Sequence, residues 1–177
     1  MARQTWNFDS AHSEVGFKVR HMMFSKVSGL FEEWSGDFEF DPDNPADTKV
    51  TADIDTASIN TRNDDRDGHL RSGDFFDAEN HPSIHFESKS TEKIDPATLK
   101  IFGDLTIRGT TKPVELDVEY HGKAVDPWGN DRIGFTATTT INRKDFGLTW
   151  NQALEAGGVL VGEKVEVELQ IQATPAE

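Results

Sequence analysis

The sequence predicts an all-β protein: an antiparallel sheet rolled into an up-and-down barrel, or folded as a sandwich, with one short helix between strands. Three observations predict it. Apolar residues recur with period two along almost every segment, the spacing of a strand with one dry and one wet face. Hydrophobic residues make up 35% of the 177. That is thin for a globular domain with a central packed core, yet sufficient where only one face of each strand points inward. Turn clusters divide the segments at regular spacing, as in sandwiches and barrels.

The alternation runs through the chain in order. Val15, Phe17, Val19 and His21 fall on one face, with Gly16, Lys18 and Arg20 on the other. Phe38 and Phe40 alternate with Asp37 and Glu39, and Val50, Ala52 and Ile54 with Thr51, Asp53 and Asp55. Ile84 and Phe86 alternate with His85 and Glu87. Leu99, Ile101, Leu105 and Ile107 share a face that Gly103 interrupts, which marks a bulge or a close approach. Val114, Leu116, Val118 and Tyr120 follow, then Ile133, Phe135, Ala137 and Ile141 opposite a row of threonines, then Val165, Val167, Leu169 and Ile171. Asp41-Pro42-Asp43-Asn44-Pro45, Asp95-Pro96, Arg108-Gly109-Thr110 and Asp126-Pro127-Trp128-Gly129-Asn130 are the turns. Between Asn63 and Phe76, the acids Asp64, Asp65 and Asp67 precede Leu70 and Arg71, the polarity of a short helix. No linker divides the chain, so residues 1–177 are expected to form one domain, with a flexible tail over 172–177.

Charge and composition narrow the partners. There are 32 Asp+Glu against 18 Lys+Arg, a net charge of -14. That field repels phosphate backbones and anionic lipid surfaces, so no nucleic-acid partner is expected. The longest apolar stretches are far too short to span a bilayer, and no stable membrane insertion is expected. Cysteine is absent, which excludes disulfides, thiolate nucleophiles and Cys-based metal sites. Twelve Phe against one Tyr suit an interior of plain hydrocarbon. The opening Met1-Ala2-Arg3-Gln4-Thr5-Trp6 has no apolar signal core. A native start of this kind places the protein in the cytoplasm; a chain trimmed of its signal would be periplasmic or secreted.

The motifs in order resemble the YceI-like family. Trp6-Asn7-Phe8-Asp9-Ser10-Ala11-His12-Ser13, Val15-Gly16-Phe17 and Val19-Arg20-His21-Met22-Met23 are similar to its opening. Ser58-Ile59-Asn60-Thr61, then Arg66-Asp67-Gly68-His69-Leu70-Arg71-Ser72 and Asp74-Phe75-Phe76-Asp77, form the strongest match. His81-Pro82-Ser83-Ile84-His85-Phe86, Gly103-Asp104-Leu105-Thr106-Ile107-Arg108-Gly109, Asn142-Arg143-Lys144-Asp145-Phe146-Gly147 and Val161-Gly162-Glu163-Lys164-Val165 complete it. The resemblance implies an eight-stranded, extended lipocalin-like barrel, often a homodimer. Its lumen would bind a long-chain isoprenoid or similar amphiphilic lipid, such as a prenyl quinone or prenyl phosphate. It implies a carrier or sequestering protein that needs no cofactor beyond that non-covalent ligand.

Phe17, Val19, Phe38, Ile54, Phe86, Leu105, Ile107 and Phe135 are then expected to face the lumen. Periodicity alone fits equally well a barrel filled by those side chains. Within a helix Asp67 and Arg71 are four apart and can pair on one face. Arg66 and His69 are candidates for holding a head group, or alternatively Arg66 and Asp67 pin the helix to the barrel. Leu70, Phe75 and Phe76 form the apolar underside that closes one end. His21 continues the inward face, either touching a head group or serving as a satisfied core residue.

Other patterns point elsewhere and are set aside. Asn63, Asp65, Asp67, Gly68, Leu70 and Asp74 fall at the positions of a calcium-binding EF-hand loop, but the last ligand is Asp rather than Glu and Arg66 intrudes. No metal site is expected. His81 and His85 would stand roughly 13 Å apart on a strand, too far to share one ion. Asp9, His12 and Ser13 supply triad residue types, but type alone is no triad, and no nucleophile elbow, phosphate loop or dinucleotide fingerprint occurs. An enzyme of lipid or isoprenoid metabolism on the same scaffold is the alternative reading. It requires an acid/base pair within reach of one ligand atom.

Overall fold

The computed structural model describes residues 4–22, 24–152, 154 and 160–176. In it the alternating segments become eleven strands of one antiparallel sheet. β1 (Gln4–Phe8) and β2 (Glu14–His21) both run antiparallel to β11 (Val161–Pro175), as a single strand broken by a 3-10 turn at Ser10–His12. β3 (Ser25–Phe31) and β4 (Trp34–Phe40) make a second broken strand, pairing with β2 and β1 respectively. β5 (Lys49–Asp55) and β6 (Ile59–Asn60) make a third, pairing with β4 and β3. The meander then continues through β7 (Ser83–Asp95), β8 (Thr98–Ile107), β9 (Thr110–Val125) and β10 (Asp131–Asn142) to β11. Because β11 pairs back onto β1, with Trp6 opposite Pro175, the sheet closes. Counting each broken strand once, this is an eight-stranded antiparallel up-and-down barrel, not a sandwich.

Turn chemistry explains the joints. Arg108 and Gly109 both take left-handed φ values, 50° and 75°, as a tight two-residue hairpin requires. At the β9–β10 hairpin the Asp126 carboxylate accepts from the amides of Trp128 (2.9 Å) and Asn130 (3.0 Å). The predicted helix is α1 (Asp64–Arg71), started by Asn63, whose side chain accepts from the Arg66 amide at 2.9 Å.

Gly103 is a close approach beside a bulge. A Cβ there would lie 2.6 Å from both the Glu87 carbonyl oxygen and Cζ of Phe86. Opposite it the register shifts between Ser88 and Ser90, leaving Lys89 as the extra residue.

The expected tail over 172–177 is corrected. β11 continues to Pro175, Ala173 is fully buried, and the Ala176 amide donates to the Thr5 carbonyl at 3.0 Å. The large apolar side chains that advertise the strand end at Ile171, but the backbone goes on pairing with β1 and closes the barrel. Glu177 lies outside the described residues. β9 and β10 part company beyond the pair Asp117–Thr138, and the 3-10 turn Arg143–Phe146 packs against β9 there.

The buried residues fall into two clusters along the barrel axis. One gathers at the β1–β4 end, where Trp6, Phe40, Ile133 and Ala173 have essentially no exposure. There the rings of Phe40, Tyr120 and Phe135 stand 5.1–5.2 Å apart. This packing plugs one end. The other cluster joins Val15, Phe31, Ile59 and Ile84 to Phe75, Phe146 and Leu148 beneath α1. Leu105, Val114 and Leu169 pack against both clusters and so mark the waist between them.

Candidate ligand-binding cavity

Between and alongside these clusters lies a cavity of about 570 Å³, within the roughly 300–1,000 Å³ typical of small-molecule sites. The barrel is therefore not completely filled by its side chains. Each wall residue expected from the alternation lines it: Phe17 and Val19 from β2, Phe38 from β4, Ile54 from β5, Phe86 from β7, Leu105 and Ile107 from β8, and Phe135 from β10. They reach it because successive side chains on a strand point to opposite faces, so one parity of every strand falls inside. Trp6, Phe40 and Ile133 lie beyond its plugged end.

The charged and imidazole side chains that line the cavity come from the opposite half: Arg20 and His21 at the end of β2, Asp65, Arg66 and His69 on α1, and Arg143 after β10. Leu70, Phe75 and Phe76 line this half as well, Leu70 on α1 and the two phenylalanines in the turn after it. The lumen is thus mostly apolar along its length and charged at one rim.

The pinning of α1 is visible atom by atom and centres on Thr61. The buried Asp67 carboxylate accepts from the Thr61 amide (2.9 Å) and hydroxyl. The Arg66 guanidinium donates to the Thr61 hydroxyl oxygen (2.7 Å) and carbonyl (2.6 Å). Arg66 therefore both lines the cavity and anchors the helix. The expected Asp67–Arg71 pair does not form. Arg71 instead donates to the carbonyls of Ala57 (2.9 Å) and Ile59 (3.1 Å), because Asp67 is turned inward to Thr61. His69 bonds Asp74 at 2.9 Å and meets the rings of Trp150 and Phe75 edge-on, at 4.6 and 5.0 Å. His21, half-buried, lines the cavity, and its ring makes no hydrogen bond to a described residue.

Arg143 and Trp150 are among the rim residues that alternation misses. Arg143 is buried, and its guanidinium donates to four carbonyls, of Leu148 (2.6 Å), Gly162 (2.8 Å), Trp150 (2.9 Å) and Val161 (3.3 Å). Burial pulls its pKa below the ordinary arginine value, with Glu163 opposing. Arg143 lashes the segment after β10 to the start of β11, and Asn151 adds two bonds to Val161 (2.7 and 3.0 Å). That holds Trp150 against His69. The motif Asn142-Arg143-Lys144-Asp145-Phe146-Gly147 was a signal, but an arginine among polar residues gives no hint of burial.

The set-aside patterns resolve locally. Asn63, Asp65 and Asp67 are wound into the start of α1 rather than a cation-binding loop. His85 bonds Asp53 at 2.7 Å. Asp9 and His12 do pair, at 2.7 Å, but Ser13 turns away to exchange hydrogen bonds with the Gln172 backbone at 2.9 and 3.2 Å. The Asp9 carboxylate is shared with Arg132, which also reaches Asp126 at 3.0 Å.

Comparison with known proteins gives consistent matches. A family model described as the YceI-like domain matches residues 6–173. A UPF0312 protein of Staphylococcus aureus is 41% identical over 173 residues, covering 97% of this chain and 98% of that protein. The crystal structure of a Campylobacter jejuni YCEI protein is 36% identical, with a TM-score of 0.77 over 96% of each chain. Two more distant structures share the fold. Burkholderia cenocepacia BcnA has 23% identity and a TM-score of 0.83, over 94% of this chain and 99% of that one. A Saccharophagus degradans domain described as polyisoprenoid binding has 15% identity and a TM-score of 0.68, over 97% and 98%.

Proposed function

Because this chain belongs to the YceI-like family, we propose that its barrel binds one long-chain isoprenoid or similar amphiphilic lipid, and carries or sequesters it without chemical change. The observation that carries this reading is the lumen itself, mostly apolar along the wall and charged only at one rim. Such a gradient matches a hydrocarbon chain ending in a quinone or phosphate head. The description of the Saccharophagus degradans domain as polyisoprenoid binding supports the same class of ligand. Shielding a chain from water contributes about 0.8 kcal/mol per buried CH₂ before ordering costs, enough over a few isoprene units to hold it. That three of the rim groups are committed to structure supports the non-catalytic reading: Arg66 to Thr61, Arg143 to four carbonyls, and His69 to Asp74.

Native mass spectrometry of the purified protein, followed by denaturing extraction, tests this. A heavy apolar adduct is expected. Leu169→Trp places an indole at the waist and should reduce adduct occupancy about tenfold or more while the barrel still folds, since it removes space for several methylenes. Full occupancy in that variant, or no adduct in any preparation, would remove the lumen as the binding site.

A further inference from the structure

The β2–β3 hairpin combines an exposed apolar tip with a run of cations. Phe24 is 85% exposed and Met22 is exposed beside it. Both sit immediately beyond His21, which lines the cavity, and the Met22 amide is tied at 2.8 Å to the carbonyl of Leu160, another lining residue. The exposed apolar tip therefore stands on the polar rim of the lumen, away from the plug.

The second feature is charge. In a chain of net charge -14, residues 18–28 contain Lys18, Arg20 and Lys26 and no acid. Arg20 and Lys26 lie directly opposite each other across the hairpin, so they share a face. Like charges in that position destabilise a sheet. Glu166 and Glu168 face them from β11. Glu166 is bonded to Lys26 at 2.9 Å, Glu168 accepts from the Gln170 side chain at 3.1 Å, and Glu163 is taken by Lys144 at 2.8 Å. The side chains of Lys18 and Arg20 have no hydrogen bond to a described residue. A sequence that places cations against one another, beside a bare phenylalanine, is built for an external anionic surface with an apolar layer behind it.

We propose that this hairpin is a membrane-contact tip: Phe24 and Met22 enter the boundary between headgroups and acyl chains, while Lys18, Arg20 and Lys26 meet the phosphates of an anionic leaflet. Contact sets the rim of the cavity against the layer in which an apolar ligand is dissolved, so the ligand passes without crossing water. This passage rests on the lipid-binding reading; the docking itself does not. A protein partner fits less well, because two apolar side chains cover far less than the roughly 1,200 Å² of a stable protein interface. The overall negative charge does not prevent contact, since charges farther than about 8 Å from the tip are screened at physiological salt.

The test is co-sedimentation with vesicles of phosphatidylcholine alone and of equimolar phosphatidylcholine and phosphatidylglycerol. The wild-type protein should sediment with the anionic vesicles, and less so as salt is raised. Phe24→Ser should lower that partition about tenfold or more, with an unchanged circular dichroism spectrum because the ring is exposed. A Lys18→Gln, Arg20→Gln double variant should lose the preference for anionic vesicles. Absence of sedimentation, or a Phe24→Ser variant that partitions like the wild type, would overturn the proposal. So would a Phe24→Ser defect seen only with a protein partner. Mass spectrometry of the same preparations separates the two readings: an adduct without vesicle binding removes the docking tip alone, and vesicle binding without an adduct removes the lumen ligand alone.

Discussion

Thr61 makes four hydrogen bonds to two charged neighbours and so decides where α1 sits. Thr61→Val keeps the shape and the two backbone bonds but leaves Asp67 and Arg66 each short of a partner. A loss of about 1–3 kcal/mol in urea denaturation is expected, and an unchanged midpoint would mean that the helix is held by apolar packing alone. Gly103 is the opposite case, a residue defined by what it lacks. Gly103→Ala would drive a methyl into the Glu87 carbonyl and the Phe86 ring. The same measurement should show about 1–3 kcal/mol of destabilisation. The sequence pointed to Gly103 because a glycine broke a run of Leu and Ile. It did not point to Thr61, because a threonine in a polar stretch looks like any turn residue. Arg143 was equally silent, since its burial depends on the carbonyls of Leu148, Trp150, Val161 and Gly162 folding back around it.

Among the elements, the β9–β10 hairpin is clamped to the end of β1 by Asp9, Arg132 and Asp126. Burial pushes the Asp9 carboxyl up, but the hydrogen bonds from Arg132 and His12 outweigh it and hold its pKa below the usual range. Asp126 is held low first by the Asn130 amide and then by Arg132. A carboxyl with a depressed folded-state pKa contributes its full stabilisation above its ordinary value, near about 4. It loses that contribution as pH falls through the folded value. Arg132→Gln should therefore lower Tm clearly at neutral pH and converge with the wild type in acid. Thermal scans across that range check it, and curves that stay parallel into acid would dismiss the clamp as the source. Alternation made β5, β7, β8, β9, β10 and β11 readable because each is half wet and half dry. β3 was hidden because its inward positions include Gly29, over which the Phe17 ring lies. α1 was legible from its acids and its cap, and its attachment was not.

At the scale of the molecule, closure is the property that local pattern carries least. Every strand of a sandwich would alternate in the same way, and the decisive pairing of β1 with β11 joins residues at opposite ends of the chain. The eight lumen residues were legible since inward parity follows from closure, whichever strand supplies them. The free volume inside was not, because alternation is the same whether the facing side chains meet or stop short. The plug at the β1–β4 end also gives the vessel a direction. With Trp6, Phe40 and Ile133 packed solid at its floor, any chain that occupies it goes in tail first and comes out head first. A chain longer than the shaft leaves its surplus at the rim, never at the base. Chain length would then set how far the head stands proud, so a vessel of fixed depth would sort its cargo by what protrudes.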